Sequence, residues 1–205
     1  MIQDFKSKVL GPLANLVKSH PLSNPQKRWN EQYQNQEWDY LNGIKEFAHY
    51  AVVAGYATFL KGSGQVLDLG CGEGLLAGYF QLDKWTGYVG VDVADVAVEK
   101  ARQKNLKNTS FTAANITEYT PDRTLDVIII CEALQYIFKP SDLMKRYSRH
   151  MAPGGIFIIS MYEDNHHTAW TELGEHYPPS IDETKVTNPQ GMTWIVKVFP
   201  KFEAE

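Results

Sequence analysis

The spacing of apolar residues changes along the chain, and the change separates one long helix from a region of alternating strands and helices. Between residues 44 and 60, apolar side chains recur every three or four positions, which predicts an amphipathic helix. From residue 65 onward, short apolar runs alternate with helical patterns, which predicts an α/β fold: a parallel sheet with helices on both faces. The runs that predict strands are residues 65–69, 87–92, 110–114, 126–130 and 156–160.

Turn-forming residues indicate where the other elements end. The further helices are predicted over residues 75–82, 95–104 and 141–151. Ser141 is expected to cap the last of these helices, and a Pro-Gly-Gly turn at residues 153–155 is expected to end it before the fifth strand. Near the C-terminal end, residues 185–187 and 193–199 flank an Asn-Pro-Gln-Gly turn, which predicts an antiparallel hairpin at the sheet edge.

The N-terminal region has a different character from the rest of the chain. Residues 1–25 are weakly amphipathic and interrupted by two prolines, which predicts a helix followed by a loose connector. Residues 27–41 place aromatic side chains among Asn, Gln and Glu, a mixture typical of a lid or a surface helix. We therefore predict a helical arm or lid over residues 1–43 and an α/β domain over residues 44–205, which together form a single structural domain.

The composition is that of an ordinary globular protein. The 205 residues are 43% hydrophobic and 21% charged, and the formal net charge of −4 argues against nucleic acid as a partner. Cys71 and Cys131 cannot build a disulfide framework, and no apolar run reaches the ~18 residues that suggest a membrane span. Because the N-terminus also lacks an apolar leader, we expect a cytoplasmic monomer or homodimer whose partner is a small molecule.

A glycine-rich segment follows the first predicted strand. Gly70, Gly72 and Gly74 allow the chain to turn tightly and a ligand to approach the backbone where a Cβ would clash. The second predicted strand ends at Asp92, about 20 residues later, where a carboxylate can accept both ribose hydroxyls and where an acid has few structural reasons to exist. Because ligands of open α/β sheets bind at the carboxyl ends of strands, these features predict an adenosine-containing cofactor.

Three details favour S-adenosylmethionine over NAD. The glycines are spaced Gly-x-Gly-x-Gly and not in the Gly-x-Gly-x-x-Gly pattern that cradles a pyrophosphate. Asp68, just before the glycines, can hold the ammonium group of a methionine moiety directly or through water. After the third predicted strand, the Asn115 amide can hydrogen-bond an adenine while Ile116 packs against the ring.

These motifs resemble those of class I S-adenosylmethionine-dependent methyltransferases, and the resemblance covers roughly residues 29–199. It implies a Rossmann-like three-layer sandwich whose seven mostly parallel strands lie in the order 3-2-1-4-5-7-6, with an antiparallel C-terminal hairpin and an N-terminal helical lid. Asn115 departs from the Asp that the family carries more often, but its carbonyl oxygen can still pair with the adenine amino group.

Two further segments strengthen the resemblance. Trp29–Tyr33 is similar to a Trp-x-x-x-Tyr motif of some small-molecule methyltransferases, in which the tyrosine helps to close over the cofactor. Asp126–Tyr136 resembles the family's fourth motif, the start of which lines the methionine end of the cofactor. The cofactor-binding residues that the resemblance implies are Tyr33, Asp68, Gly70, Cys71, Gly72, Gly74, Asp92, Val93, Asn115, Ile116, Cys131 and Glu132.

The residue that manages the proton is less well defined. His166 and His167 follow the fifth predicted strand, where a histidine can take a proton from a hydroxyl or an amine, but a polar loop pair without a role explains them at least as well. Tyr136 lies where related enzymes often carry His or Tyr near the acceptor, and Glu132 can serve as a base or as a helix cap. No Cys or His spacing indicates a metal site.

Aromatic residues make up 12% of the chain, more than burial alone requires. Trp38, Tyr40, Tyr162 and Trp170 lie on the segments that form the lid and rim in this family, which suggests a wall for a flat or cationic acceptor. The predicted function is methyl transfer from S-adenosylmethionine to an O or N atom of a small molecule, by in-line displacement at the sulfonium methyl. A protein that binds S-adenosylmethionine without transferring methyl and an NAD-dependent oxidoreductase stay open as alternatives.

Overall fold

The computed structural model describes residues 24–163 and 167–203, which form five α-helices and seven strands. The helices are α1 (Pro25–Gln34), α2 (Ile44–Leu60), α3 (Asp95–Gln103), α4 (Pro140–Ser148) and α5 (His167–His176). The strands are β1 (Gln65–Leu69), β2 (Gly87–Asp92), β3 (Thr109–Ala113), β4 (Leu125–Cys131), β5 (Met151–Tyr162), β6 (Asp182–Thr187) and β7 (Thr193–Pro200).

All seven strands belong to one sheet in the order β3-β2-β1-β4-β5-β7-β6. The first five strands pair in parallel, whereas β7 runs antiparallel to both β5 and β6. The strand order and the C-terminal hairpin that the sequence predicts are therefore confirmed. Strand order reverses between β1 and β4, and in such sheets the crevice beyond the carboxyl ends at this point is where ligands bind.

Both faces of the sheet are buried, which explains the uninterrupted apolar runs in β1 and β4. Val66 and Val127 face a core layer that includes Val53 of α2. Leu67 and Ile128 point to the opposite layer, which contains residues of α4 and α5. The three-layer sandwich thus follows from the alternation of adjacent side chains along each central strand.

The single helix predicted over residues 75–82 is wrong. Two short 3₁₀ turns, Leu76–Tyr79 and Leu82–Lys84, occupy this segment. Gly74 has a left-handed φ of +67° and Phe80 is extended, so only a few residues between them are free to be helical. A segment this short with a central glycine gains too little from helical hydrogen bonds to continue as an α-helix.

The predicted boundaries around the fifth strand also need correction. Ser141 does not cap α4: it lies inside the helix, and the Glu172 carboxylate of α5 accepts from its backbone N–H (2.9 Å) and its hydroxyl (2.6 Å). The free N–H at the helix start therefore finds its partner on a neighbouring helix. The Pro-Gly-Gly segment at 153–155 is part of β5, which begins at Met151 and shifts register against β4 near Leu125.

The described part of the N-terminal arm packs on the α/β domain. In α1, the Asn24 side chain caps the helix by accepting from the Lys27 N–H (3.0 Å), and Tyr33 is buried in a small cluster with Ala94 and Ala97. The helix and connector predicted within residues 1–25 fall almost wholly outside the described residues. In the described parts of the chain, no helix combines the length and apolar character needed to cross a membrane.

Candidate active site

A cavity of about 400 Å³ opens at the carboxyl ends of β1, β2 and β4. It lies where the strand order reverses, and α1 and the segment that follows it cover one side. Of the residues that the sequence analysis assigns to the cofactor, all except Gly74 line it. Gly74 lies behind the loop, where an added Cβ would be 2.9 Å from the ring of Phe111.

The glycine loop after β1 is shaped by two close approaches. Gly70 and Gly72 both have positive φ angles, of 80° and 49°. A Cβ on Gly72 would lie 2.5 Å from the Tyr33 hydroxyl oxygen, and one on Gly70 would lie 2.4 Å from the Cβ of Ala133. Glycine is therefore required here both by backbone conformation and by lack of space.

Asp92 holds the glycine loop to the end of β2. Its Oδ2 accepts a hydrogen bond from the Gly72 backbone N–H (2.8 Å), and its Oδ1 accepts one from that of Ala94 (2.9 Å). Burial raises the pKa of Asp92, while the backbone N–H groups oppose this shift. The expectation that an acid at this position has few structural reasons to exist is therefore wrong. Each carboxylate oxygen still has capacity for a second donor, so a ribose contact is compatible with this role.

Asp68 carries an unsatisfied acceptor at the floor of the cavity. Its side chain is buried, and Oδ2 accepts from the Tyr88 hydroxyl at 2.6 Å. Within the described residues, its other oxygen, Oδ1, has no hydrogen-bond partner. Burial raises the pKa of Asp68 to about 7 despite the Tyr88 bond. Because an unpaired buried acceptor costs free energy, this oxygen is suited to a donor group of a ligand.

Asn115 adopts a different arrangement from the expected one. Its Oδ1 already accepts from the backbone N–H (3.0 Å) and the hydroxyl (2.9 Å) of Thr117. The carbonyl oxygen is thus engaged locally, which corrects the expected pairing with an adenine amino group. The amide nitrogen remains able to donate to a ring nitrogen, while Val93 and Ile116 supply apolar surface beside it.

An aromatic wall lines part of the cavity, and we define it as Trp29, Tyr33, Trp38, Tyr40 and Tyr136. Neighbouring rings in it lie 5.0–6.2 Å apart between centroids, in tilted or edge-on arrangements. Such spacing is typical of favourable aromatic contacts. Trp38 and Tyr40, which the sequence analysis expects at the acceptor pocket, line the cavity as part of this wall, and Tyr162 lines the same cavity.

Trp170 does not belong to this pocket. Its ring stacks on Phe199, with centroids 6.5 Å apart, and the Lys197 ammonium lies 4.8 Å from its centroid. It packs against the core layer that lies under α4 and α5. The expectation that Trp170 lines the acceptor pocket is therefore wrong, because α5 turns this side chain toward the sheet.

A chain of buried polar side chains links two carboxylates at the cavity. Glu132 Oε2 accepts from the Tyr162 backbone N–H (3.0 Å), and its Oε1 accepts from the Ser160 hydroxyl (3.3 Å). The same hydroxyl oxygen lies 3.3 Å from His49 Nδ1, and His49 Nε2 lies 3.1 Å from Glu46 Oε2. Both glutamates line the cavity, whereas His49 is fully buried behind it.

Burial determines the charge states in this chain. It raises the pKa of Glu132 to about 8, with a further contribution from the nearby Glu46 carboxylate. Burial lowers the pKa of His49 more than its bond to Glu46 raises it, so the imidazole is neutral near pH 7. Burial also raises the pKa of the Tyr136 hydroxyl and of the Cys131 and Cys71 thiols, so none of them is a thiolate or phenolate.

Comparison with known proteins identifies the family. A family model described as a methyltransferase domain matches residues 40–197, which is more than half of the chain. The chain belongs to this methyltransferase domain family. The resemblance to class I S-adenosylmethionine-dependent methyltransferases that the motifs indicate is thereby confirmed.

Similar methyltransferases act on different acceptors, as their names show. The chain is 32% identical to a ubiquinone biosynthesis O-methyltransferase of Rickettsia prowazekii over 99 residues, covering 47% of this chain and 39% of that protein. It is 28% identical to an (S)-coclaurine N-methyltransferase of Papaver somniferum over 134 residues, covering 63% and 36%. The chain thus spans well under half the length of both relatives.

A similar fold occurs in a solved structure. The N-methyltransferase NodS of Bradyrhizobium japonicum, in complex with S-adenosylhomocysteine, superposes with a TM-score of 0.73 at 16% identity. The match covers 88% of this chain and all of that one. At this identity the likeness bears on the fold alone.

The residues predicted to handle the proton differ in where they lie relative to the cavity. Tyr136 lines the cavity and packs edge-on against Trp29, at 5.0 Å between centroids. His166 lies outside the described residues, and His167 is described only as the first residue of α5. Glu132 is not a helix cap, because both of its oxygens are held by β5. In residues 24–163 and 167–203, no group of three or more His, Cys, Asp or Glu is placed to bind a metal.

Sequence reasoning missed Glu46, His49 and Ser160. The only local signal was that Glu46 and His49 lie three residues apart among the apolar positions of a mostly apolar helix. Their link to Ser160 spans 111 residues of sequence and depends on how α2 packs against β5.

Proposed function

We propose that this protein transfers a methyl group from S-adenosylmethionine to a nitrogen or oxygen atom of a small molecule. The observation that carries the proposal is the unpaired Oδ1 of Asp68, buried beside the glycine loop in the cavity at the strand-order reversal. A ligand with a hydrogen-bond donor next to that loop satisfies this oxygen directly or through water. A methionine moiety has such a donor in its ammonium group, whereas a pyrophosphate has none.

The residues present fit the cofactor at each of its parts. Asp68 is suited to the ammonium group, and the second lone pairs of the Asp92 carboxylate are suited to the ribose hydroxyls. Val93 and Ile116 provide apolar surface for the adenine, beside the Asn115 amide nitrogen. When bound, S-adenosylmethionine supplies a methyl group on a positively charged sulfur that a nucleophile can displace.

The chain contributes positioning and exclusion of water. A well-oriented pair of reactants can gain about 7–11 kcal/mol from proximity alone, so an activated methyl donor needs few catalytic groups. The aromatic wall lines the cavity with apolar surface that favours exclusion of water. Glu132 and Tyr136 lie at this cavity as candidates for holding or moving the acceptor proton, and His166 and His167 stay predictions for the same task.

We also propose that α1 acts as part of a lid. Lys100 of α3 donates to Glu73 Oε1 in the glycine loop (2.6 Å) and to the Tyr33 carbonyl oxygen at the end of α1 (3.3 Å). One ammonium group therefore holds α1 against the loop that it covers. This arrangement supports a division between a lid within residues 1–43 and a binding domain over residues 44–205.

Isothermal titration with S-adenosylhomocysteine and with NAD tests the cofactor. We expect S-adenosylhomocysteine to bind and NAD to show no binding. Asp68→Ala should weaken S-adenosylhomocysteine by about ten-fold or more, since a ligand hydrogen bond to a charged group is worth roughly 1.5–3 kcal/mol. Asp83→Ala, at an exposed position, is the control. Binding of NAD alone would overturn the proposal.

A further inference from the structure

We propose that the methyl acceptor is an amine, which enters as a cation, is held by Glu132 and Glu46 among aromatic rings, and gives its proton to Glu132. This inference rests on the proposed methyl transfer and specifies its substrate class. It distinguishes an amine from a carboxylate, phosphate or phenol as the acceptor.

The charge of the cavity lining supports a cationic acceptor. Among the described residues that line it, there are five acidic side chains and no Lys, Arg or His. Asp68 and Asp92 lie at the glycine loop, and Glu73 is paired with Lys100. Glu46 and Glu132 are left to face the rest of the cavity.

These two glutamates are not neutralised by the partners that the structure gives them. Glu132 accepts from a hydroxyl and a backbone N–H, and Glu46 is bonded to His49, whose imidazole is neutral because burial lowers its pKa. A carboxylate or phosphate in this space would lie beside both glutamates and would oppose the ionisation of Glu132 that the proton step requires. A cation is instead attracted to them, and more strongly than in water because the site is largely buried.

The aromatic surroundings favour the same class of ligand. Two pairs of neighbouring rings line the cavity: Trp38 and Tyr40, with centroids 6.1 Å apart, and Tyr162 and Trp194, 5.9 Å apart. The faces of such rings attract cations, most strongly where water is excluded. They also offer a flat apolar surface for the body of the acceptor.

The Gln135 side chain offers a further hydrogen-bond acceptor near Glu132. The Gln135 side chain donates through Nε2 to the Glu132 carbonyl oxygen (2.8 Å), which directs its amide. Its Oε1 is buried and has no partner among the described residues, although the side chain lines the cavity. A ligand with an N–H group can satisfy this oxygen.

The proton step follows from the chemistry of an amine. A protonated amine has no free lone pair, so it must lose a proton before it can act as a nucleophile. One N–H bond breaks, its electron pair stays on nitrogen, and the proton forms an O–H bond on the Glu132 carboxylate. Glu132 is thus the catalytic residue. The methylated product leaves as an ammonium ion, and the proton on Glu132 passes to water, which restores the carboxylate.

Ser160 and His49 act as positioning residues. Ser160 donates to Glu132 Oε1 and contacts His49, which contacts Glu46, so that one hydrogen-bonded chain joins both carboxylates. This chain holds the Glu132 side chain in a single orientation. It also keeps the backbone at Glu132 in place, where φ is +55°.

Ligand-observed NMR on the full chain saturated with S-adenosylhomocysteine tests the charge preference. The probes are 2-phenylethylamine, tyramine and tetrahydroisoquinoline, compared with 3-phenylpropionate, which has a similar ring and length but the opposite charge. We expect at least one amine to bind about ten-fold or more tightly than the carboxylate, since like charges are strongly disfavoured in such a site. Equal or tighter binding of 3-phenylpropionate, or no binding of any amine, would overturn the inference.

Variants assign the preference to the two glutamates. Glu132→Gln and, separately, Glu46→Gln should each reduce the preference for amines, whereas Glu118→Gln, at an exposed position outside the cavity, should leave it unchanged. Thermal melting shows which variants are folded, and S-adenosylhomocysteine titration shows which retain the cofactor site. A preference that survives both cavity variants contradicts the inference. Loss of S-adenosylhomocysteine binding by the wild type would instead contradict the proposed function.

Tyramine also reports which atom is methylated, because it carries both an amine and a phenol. With labelled S-adenosylmethionine, we expect mass spectrometry to find the label on nitrogen, and label on the phenol oxygen would contradict the inference. His49→Gln should lower kcat and change its pH profile while leaving S-adenosylhomocysteine affinity unchanged. An unchanged pH profile would contradict the positioning role of His49.

Discussion

At the scale of single residues, Asp68 and Glu132 share a property that ordinary carboxylates lack. Both are held in buried surroundings that raise their pKa, to about 7 and about 8. A protein keeps such groups at a free-energy cost, so they mark candidate positions for contact with a ligand. In each case the ligand group we assign is a cation, the methionine ammonium at Asp68 and the acceptor amine at Glu132.

The raised pKa of Asp68 has a consequence for stability. Its ordinary pKa of 3.8 applies to the unfolded chain, so between about pH 4 and pH 7 the folded state binds a proton more strongly than the unfolded state. This contribution to stability is present below pH 4 and is lost as the pH rises through 7. In the absence of cofactor, the free energy of unfolding, measured with urea, should therefore fall less steeply between about pH 4 and pH 7 in Asp68→Asn than in the wild type. Asp83→Asn is the exposed control, and equal slopes in wild type and Asp68→Asn would contradict the shift.

The raised pKa of Glu132 predicts how the affinity for a cation of fixed charge depends on pH. Trimethylphenylammonium cannot lose a proton, so its affinity follows the ionisation of the groups that face it. Below pH 8 Glu132 is mostly protonated, so affinity should rise with pH through 8, by at most about ten-fold per pH unit. The other groups around Glu132 are Glu46 and His49 from α2, Tyr40 and Tyr136 from the aromatic wall, and Ser160 and Tyr162 from β5.

Titration of trimethylphenylammonium at pH 6, 7, 8 and 9 measures this dependence. Glu132→Gln should bind the ion more weakly at pH 9 and with a flatter pH profile. A wild-type affinity that falls as the pH rises would contradict the account of Glu132.

At the scale of elements, the glycine loop is the point where β1, β2, α1 and α3 meet. Asp92 fixes the loop to β2, and Lys100 fixes it to α1. The sequence predicts the position of this loop well, because a strand pattern, a glycine cluster and a strand-end acid are local signals. It does not predict the contacts by which Lys100 joins the loop to α1, because they depend on how α1 lies over α3. We call this Lys100 bridge the clamp.

Removing the clamp should loosen α1 without unfolding the sheet. Lys100→Ala deletes the ammonium that bridges Glu73 and the Tyr33 carbonyl group. We expect S-adenosylhomocysteine affinity to fall a few-fold, which is modest because the ion pair is partly exposed, and limited proteolysis within residues 24–43 to become faster. Lys104→Ala, at an exposed position at the end of the same helix, is the control. Unchanged proteolysis in Lys100→Ala would show that the clamp does not hold the lid.

The errors at this scale have physical causes. Residues 75–82 carry a helical pattern, but the left-handed backbone at Gly74 and the extended backbone at Phe80 leave no length for an α-helix. Ser141 was predicted to cap the helix because serine is a favoured N-cap residue. The partner of the free N–H is instead Glu172, which is distant in sequence. Both errors arise because local patterns do not contain tertiary partners.

At the scale of the whole molecule, two features of the sequence were enough to predict the three-layer fold. They are the alternation of strands and helices along the chain and the buried apolar runs in β1 and β4. The aromatic excess, by contrast, has two explanations. The aromatic wall and Tyr162 line the cavity, but large rings such as Tyr88, Tyr147 and Phe157 are fully buried in the core. The acceptor side was harder to predict because residues from α1, α2, β4, β5 and β7 meet there.

A crystal structure of the complex with S-adenosylhomocysteine tests the central claim most directly. We predict the ammonium group of the ligand at Asp68, its ribose at Asp92, and its sulfur facing the space between Glu132 and the aromatic wall. A ligand whose sulfur faces away from that space, or one that leaves Asp68 without a partner, would contradict the account.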